Sequence, residues 1–130
     1  DIGKIAIPDS ILLKPGKLTE EEFEVVKTHA VLGARVLAGG GSPLLATAEA
    51  IARHHHERWD GGGYPDGLAG DAIPVAARIV HVADVFDVLV HERPYRESFT
   101  TAAAAEEIAR GAGTDFDPEV IAVFSRIGPL

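Results

Sequence analysis

Apolar positions recur every three or four residues along most of the chain, and no stretch alternates with the period of two that marks a half-buried strand. The run Thr19-Glu20-Glu21-Glu22 has the form of a capping box, so a helix is expected from about 19 to 38, ended by the glycines at 39 to 41. Ser42 and Pro43 suit a cap and a first helical position. The helix they start carries Leu44, Leu45, Ala48, Ile51 and Ala52 up to a run of histidines. Residues 58 to 72 are glycine-rich and read as a loop. Pro74 opens a third helix, rich in Ala, Ile and Val, that ends near Val90. A fourth spans about 101 to 110 and stops at Gly111, and Asp117-Pro118-Glu119 caps a short fifth. The pattern predicts an all-α domain with no internal repeat.

The informative residues are those that interrupt the apolar faces. Val25, His29, Leu32 and Val36 share helical spacing, which puts His29 on a face otherwise suited to burial. Alone, such a histidine is usually an ordinary hydrogen-bonded core residue. His55 and His56 follow Ile51 and Ala52 by four, continuing that apolar face into two imidazoles about 100° apart, able to serve two neighbouring metals. The competing reading is a solvated cluster favoured by the helix dipole. Asp84 and Asp87 lie one turn apart in an apolar stretch, where a carboxylate is costly unless paired or bound to metal. Asp84 suits ligation; Asp87 suits support of a ligand or helix packing. Asp1-Ile2-Gly3-Lys4 adds a carboxylate and a cation beside a tight turn. Together Asp1, His29, His55, His56 and Asp84 form an imidazole and carboxylate set suited to Fe, Mn or another first-row divalent metal. Five ligands exceed the four of one zinc, so two metals about 3.5–4 Å apart, a common device for phosphoryl hydrolysis, are expected.

Composition narrows the possibilities. A net charge of −8 argues against nucleic acid as the main partner, since DNA binding rests on Lys and Arg neutralising phosphates. The absence of cysteine excludes disulfides and thiolate ligands and fits a cytoplasmic location. No apolar run approaches the roughly 20 residues of a membrane-spanning helix, so no membrane contact is expected. The chain opens on Asp1 without a methionine and is read as part of a longer one.

The segments "DIGKIAIPDSILLKPGKLT", His29, "HHHERWDGGGYPDGLAGDAIP", "ARIVHVADVFDVL", "RPYR" and "GAGTDFDPEV" follow one another in the order of a known family. The chain resembles the HD-GYP domain, the subgroup of HD-type phosphohydrolases associated with the bacterial second messenger cyclic di-GMP. The resemblance implies an HD-type helical bundle with the HD-GYP extension, residues 1–130 forming one domain that lacks its N-terminal helix or helices. It implies two or three divalent metal ions, Fe or Mn first, held by Asp1, His29, His55, His56 and Asp84, with Glu57 and Asp87 supporting them. Asp1 and Lys4 would be the catalytic pair, Lys4 beside the scissile phosphate. Tyr64, Arg93 and Arg96 would contact the dinucleotide, and hydrolysis would yield linear pGpG and in some members GMP.

Two departures stand out. Members usually carry Lys where Arg96 stands, which alters hydrogen-bond geometry. The histidine of the HD pair would directly precede Asp1, so the 130-residue chain alone is expected to be weakly active or inactive. Besides the enzyme, two readings stay open: a catalytically weak module that senses nucleotide or binds partners such as diguanylate cyclase (GGDEF) domains, and a dinuclear-iron oxygenase on the same scaffold. A homodimer is also compatible with the resemblance.

Overall fold

Four of the described helices start where a side-chain oxygen meets a free backbone N–H group, and two start after a proline. The computed structural model describes residues 1–91 and 98–127. Among the described residues six α-helices run in order: α1 (Asp9–Leu12), α2 (Glu20–Leu37), α3 (Pro43–His54), α4 (Val75–Val90), α5 (Thr101–Arg110) and α6 (Pro118–Ile127). Single 3-10 turns occupy Ile2–Ala6 and Gly70–Ala72, and the described residues hold no β-strand. At α2 the capping box is complete: Glu22 N–H donates to Thr19 Oγ1 at 3.2 Å and Thr19 N–H to Glu22 Oε2 at 2.8 Å. Ser42 accepts from Leu45 N–H, Thr100 from Ala103 N–H, and Asp117 from Glu119 N–H. Each such cap is worth about 1 kcal/mol.

Two packing units follow. In the first, the Ile2–Ala6 turn and α3 both lie on α2, whose buried residues are His29, Ala30, Gly33 and Ala34. This differs from the stripe read from spacing: Val25 and Val36 are exposed, and the buried line runs beside them. The reason is steric. Only small residues let backbones approach this closely, and a Cβ on Gly3 would overlap the His29 carbonyl oxygen and the Gly33 nitrogen. In the second unit α4, α5 and α6 enclose Val82, Leu89, Ala104, Ile108, Phe116 and Ile121. The capped helices match expectation within a residue or two, whereas α1 and the Ile2–Ala6 turn are too short to show a period.

The two units respond differently to mutation. Ile108→Ala, deep in the second core, is expected to cost about 2–5 kcal/mol, leaving metal uptake intact. Gly3→Ala, by pushing the turn off α2, is expected to lower both thermal stability and metal affinity. Melting curves with and without added Mn check both. Equal metal-induced stabilisation in Gly3→Ala and wild type would refute the coupling.

Candidate metal centre

α2, the end of α3 and the first turn converge on one spot. One ligand atom each from Asp1, His29, His55 and His56 lie within 4.8 Å of one another. The Asp1 carboxylate is 3.4 Å from His29 Nε2 and 3.8 Å from His55 Nε2. The Gly3 backbone seated on α2 delivers it there. α3 ends at His54, His55 caps it with helical backbone angles, and His56 lies beyond, so the pair leaves the helix as it reaches the site.

Proton placement decides what these rings can do. His29 Nδ1 donates to the Val26 carbonyl at 2.6 Å, and His55 Nδ1 to the Ile51 and Ala52 carbonyls at 3.0 Å. Each ring's mobile proton is thereby held on the outer nitrogen, and Nε2 presents a lone pair inward, the arrangement in which backbone carbonyls orient metal-binding histidines. His55 Nε2 is buried with no hydrogen-bond partner. His56 Nε2 lies 3.2 Å from His29 Nε2, and because His29 holds its proton on Nδ1, His56 Nε2 is the donor of this bond and His29 Nε2 the acceptor. A buried lone pair without a donor is costly; a cation at the centre would satisfy that of His55 and take the place of the proton shared between His29 and His56. Burial lowers the pKa of His29, of His55, and of His56 to about 3, the last helped by its imidazole neighbours. Neutral imidazoles are the form that ligates. The residues therefore fit a divalent metal.

Around this group the other expected residues fall into place unevenly. Lys4 Nζ donates to Asp1 Oδ2 at 2.7 Å, beside the group. Asp84 on α4 is half-buried and stands outside the four-residue cluster, yet its charge reaches it, opposing the effect of burial on His29. Tyr64 stacks on His56, ring centroids 4.9 Å apart and planes 25° apart. Burial, with Asp84 adding to it, pushes the Tyr64 hydroxyl up to about 12, so it remains a neutral hydrogen-bond donor. Asp87, one turn beyond Asp84 on α4, faces solvent and pairs with His91 at 3.1 Å. Glu57 is buried but binds the loop rather than an imidazole of the cluster: it accepts from Asp66 N–H at 2.8 Å and Leu68 N–H at 3.0 Å. Arg93 and Arg96 lie outside the described residues.

A cleft of about 420 Å³ opens beside His56 and Tyr64, with Phe23, Lys27, Arg58 and His81 among its walls. None of these four stood out in the sequence. Lys27 Nζ sits 5.2 Å from the Phe23 ring centroid and 5.6 Å from that of Tyr64. The i, i+4 spacing of an aromatic and a cation on α2 was the available signal. For His81 it was an imidazole within the apolar stretch that holds Asp84; its Nδ1 is buried without a partner.

The depressed histidines predict a pH dependence. In the unfolded chain imidazoles titrate near 6.5, whereas in the folded protein burial holds His29, His55, His56 and His81 lower. Between those values the unfolded state binds more protons. The contribution is therefore complete above pH 6.5 and is lost as pH falls through the folded values, down to about 3 for His56. Metal-free protein is expected to hold a constant melting temperature from about pH 8 to about pH 7 and to lose stability steadily below that. His56→Gln should flatten the curve, as thermal melts across that range will show.

Several known proteins are similar to this chain. The family model described as "HD domain" matches residues 1–120. The chain is 54% identical over 121 residues to the cyclic di-GMP phosphodiesterase response regulator RpfG of Xanthomonas campestris, covering 93% of this chain and 32% of that protein. It is 50% identical over 127 residues to a cyclic di-GMP phosphodiesterase of Thermotoga maritima, with 98% and 34% covered. It is 44% identical over 121 residues to 3′3′-cGAMP-specific phosphodiesterase 2 of Vibrio cholerae, with 93% and 23% covered. Among solved structures, a cyclic GMP-AMP-specific phosphodiesterase of Vibrio cholerae superposes with a TM-score of 0.65 at 23% identity, over 96% of this chain and 32% of that one. The chain thus spans about a quarter to a third of the length of these relatives. A match over nearly the whole chain, with its imidazoles and carboxylate gathered at one point of an all-helical fold, places this protein in the HD domain family.

Proposed function

We propose that this chain carries the catalytic centre of a metal-dependent cyclic dinucleotide phosphodiesterase of the HD-GYP type, with cyclic di-GMP as substrate. The observation that carries the reading is the convergence of three imidazoles, two of them with lone pairs turned inward by backbone carbonyls, and the Asp1 carboxylate. The names of the relatives supply the substrate class. Asp1, His29, His55 and His56 would hold two or three divalent ions, Fe or Mn, with Asp84 completing the set from α4. Bound there, the metals supply positive charge for phosphate oxygens and lower the pKa of water.

The chain's own groups have separable tasks. Hydrolysis adds water across one phosphodiester: a P–O bond to water forms, the bond to the ribose 3′-oxygen breaks, and that oxygen gains a proton. Lys4, tethered to Asp1, places a cation where charge develops on the phosphate oxygens. Tyr64 stays a neutral donor over the working pH range and offers a hydrogen bond to an anion without electrostatic penalty. Arg93 and Arg96 would add charge-assisted contacts to the dinucleotide. The four clustered ligands favour turnover over the sensing module, since loss of ligands is how a catalytically silent relative would arise. A GGDEF partner, a homodimer and a cytoplasmic location remain extensions of this proposal.

The decisive experiment is hydrolysis of cyclic di-GMP by protein loaded separately with Mn and Fe, alongside elemental analysis. About two metal ions per chain and release of pGpG are expected; binding without turnover would support the sensing module instead. His55→Ala and Asp84→Ala should each lose at least one equivalent of metal. Lys4→Ala should keep its metals and KM while kcat falls about 10- to 100-fold, because its contact strengthens only as charge develops. A raised KM at unchanged kcat would move Lys4 from the reacting phosphate to ordinary substrate binding.

A further inference from the structure

Behind the metal centre lies a second group with ligand chemistry. Ligand atoms of His54, Glu57 and Asp66 also lie within 4.8 Å of one another. His54 Nδ1 faces Asp66 Oδ2 at 3.5 Å and Glu57 Oε1 at 3.8 Å, and it is buried with no hydrogen bond of its own. The carboxylates, however, are already engaged. Both Glu57 oxygens accept backbone N–H groups, from Asp66 and from Leu68. Both Asp66 oxygens accept from Arg53, through Nε and a terminal nitrogen, at 2.8 Å each. A metal entering here would have to displace a bidentate guanidinium from Asp66 and strip two amides of their acceptor on the buried Glu57, the second loss being the costlier.

Those bonds close the glycine loop at its far end. The near end is closed as well: Tyr64 N–H donates to the His56 carbonyl at 3.2 Å, and a Cβ on Gly63 would overlap the His56 carbonyl and the Glu57 backbone. Tyr64 stands between the two closures, its ring stacked on His56. Residue 57 thus follows directly on a proposed metal ligand and reaches across nine residues to grip the chain just past the tyrosine.

We propose that Glu57, backed by the Arg53–Asp66 pair, is a positioning residue that holds the Tyr64 ring on His56 and thereby sets substrate affinity, and that the His54, Glu57 and Asp66 group is a latch rather than a second metal site. The affinity half rests on the reading of Tyr64 as a substrate contact; the positioning half stands without it. Both Glu57 oxygens are taken up by loop amides, so Glu57 acts on the site through the loop. The Arg53–Asp66 pair is more exposed and supports the same strand of loop from outside.

The test uses Glu57→Gln, which keeps shape and loses one of the two acceptors, and Asp66→Asn at the more exposed pair in case the first variant folds poorly. In metal-free protein, NMR should show the His56 ring protons of Glu57→Gln shifting toward their values in Tyr64→Ala, because the stacked ring that shields them has moved. Amide hydrogen exchange at Asp66 and Leu68 should accelerate. Metal content of the loaded protein should be unchanged, KM for cyclic di-GMP should rise about 10-fold with kcat within about twofold, and the variant should add little further in a Tyr64→Ala background. Asp66→Asn should show the same pattern more weakly. Loss of one metal equivalent in Glu57→Gln would establish the second metal site and overturn the latch. So would an unmoved His56 resonance, or KM effects that simply add to those of Tyr64→Ala. Should wild-type protein leave cyclic di-GMP untouched, the functional reading fails, while the ring shifts, amide exchange and metal count still decide the latch.

Discussion

Three imidazoles can aim their lone pairs at one point only if something else holds their protons. In this protein the backbone does so for two of them: the carbonyl of Val26 for His29, those of Ile51 and Ala52 for His55. Each carbonyl lies three or four residues before its histidine, so a helix carries the group that orients its own ligand. The remaining condition is that α2 and α3 lie close enough for their ligands to meet. Ala30, Gly33 and Ala34 on one helix and Ala52 on the other meet it by having little or no side chain. The same smallness admits the Ile2–Ala6 turn, which seats Asp1 beside His29.

This closeness leaves buried nitrogen atoms with nothing to bond, and the cost is tolerable because the site is built for a cation. The centre is consequently a poor place for protons, as the depressed histidines show. Helices α4 to α6 have a separate apolar core and bear on the site mainly through Asp84 and His81. The loop between the units is stiffer than its glycines imply. Trp59 and Asp60 N–H groups bond the carbonyls of Asp115 and Thr114, Gly62 N–H bonds Asp60, and Arg58 pairs with Asp115. The cleft beside Tyr64 therefore has walls drawn from four separate stretches of chain, near residues 23–27, 56–64, 81–85 and 115–116.

How much of this was legible in the sequence depends on the range of the interaction. Local signals were reliable: the capping box at Thr19 and Glu22, the Ser42–Pro43 start, the stop at Gly111 and the Asp117 cap all stand as expected, because their partners lie within four residues. Residue types and their order also sufficed to single out Asp1, His29, His55 and His56, which the fold brings together. What periodicity could not decide was which of two overlapping faces α2 would bury. Val25 and Val36 are more apolar than Gly33, but hydropathy ranks residues by transfer free energy, whereas the choice was made by how near two backbones had to come.

Asp87 and Glu57 carry the same lesson. Both are acids near expected ligands, yet a rotation of about 100° per residue puts Asp87 in solvent beside His91, while Glu57 turns inward to amides nine and eleven residues ahead. By itself the sequence determined the helices, their caps, the candidate ligands and the family likeness, since each rests on residue types and their spacing along the chain. Only the tertiary structure decided that the imidazoles of α2 and α3 meet beside Asp1, that Tyr64 lies on His56, and that Lys27 and His81 share its cleft. Those outcomes follow from close packing between segments distant in the chain, where fractions of an ångström at a glycine determine what can meet.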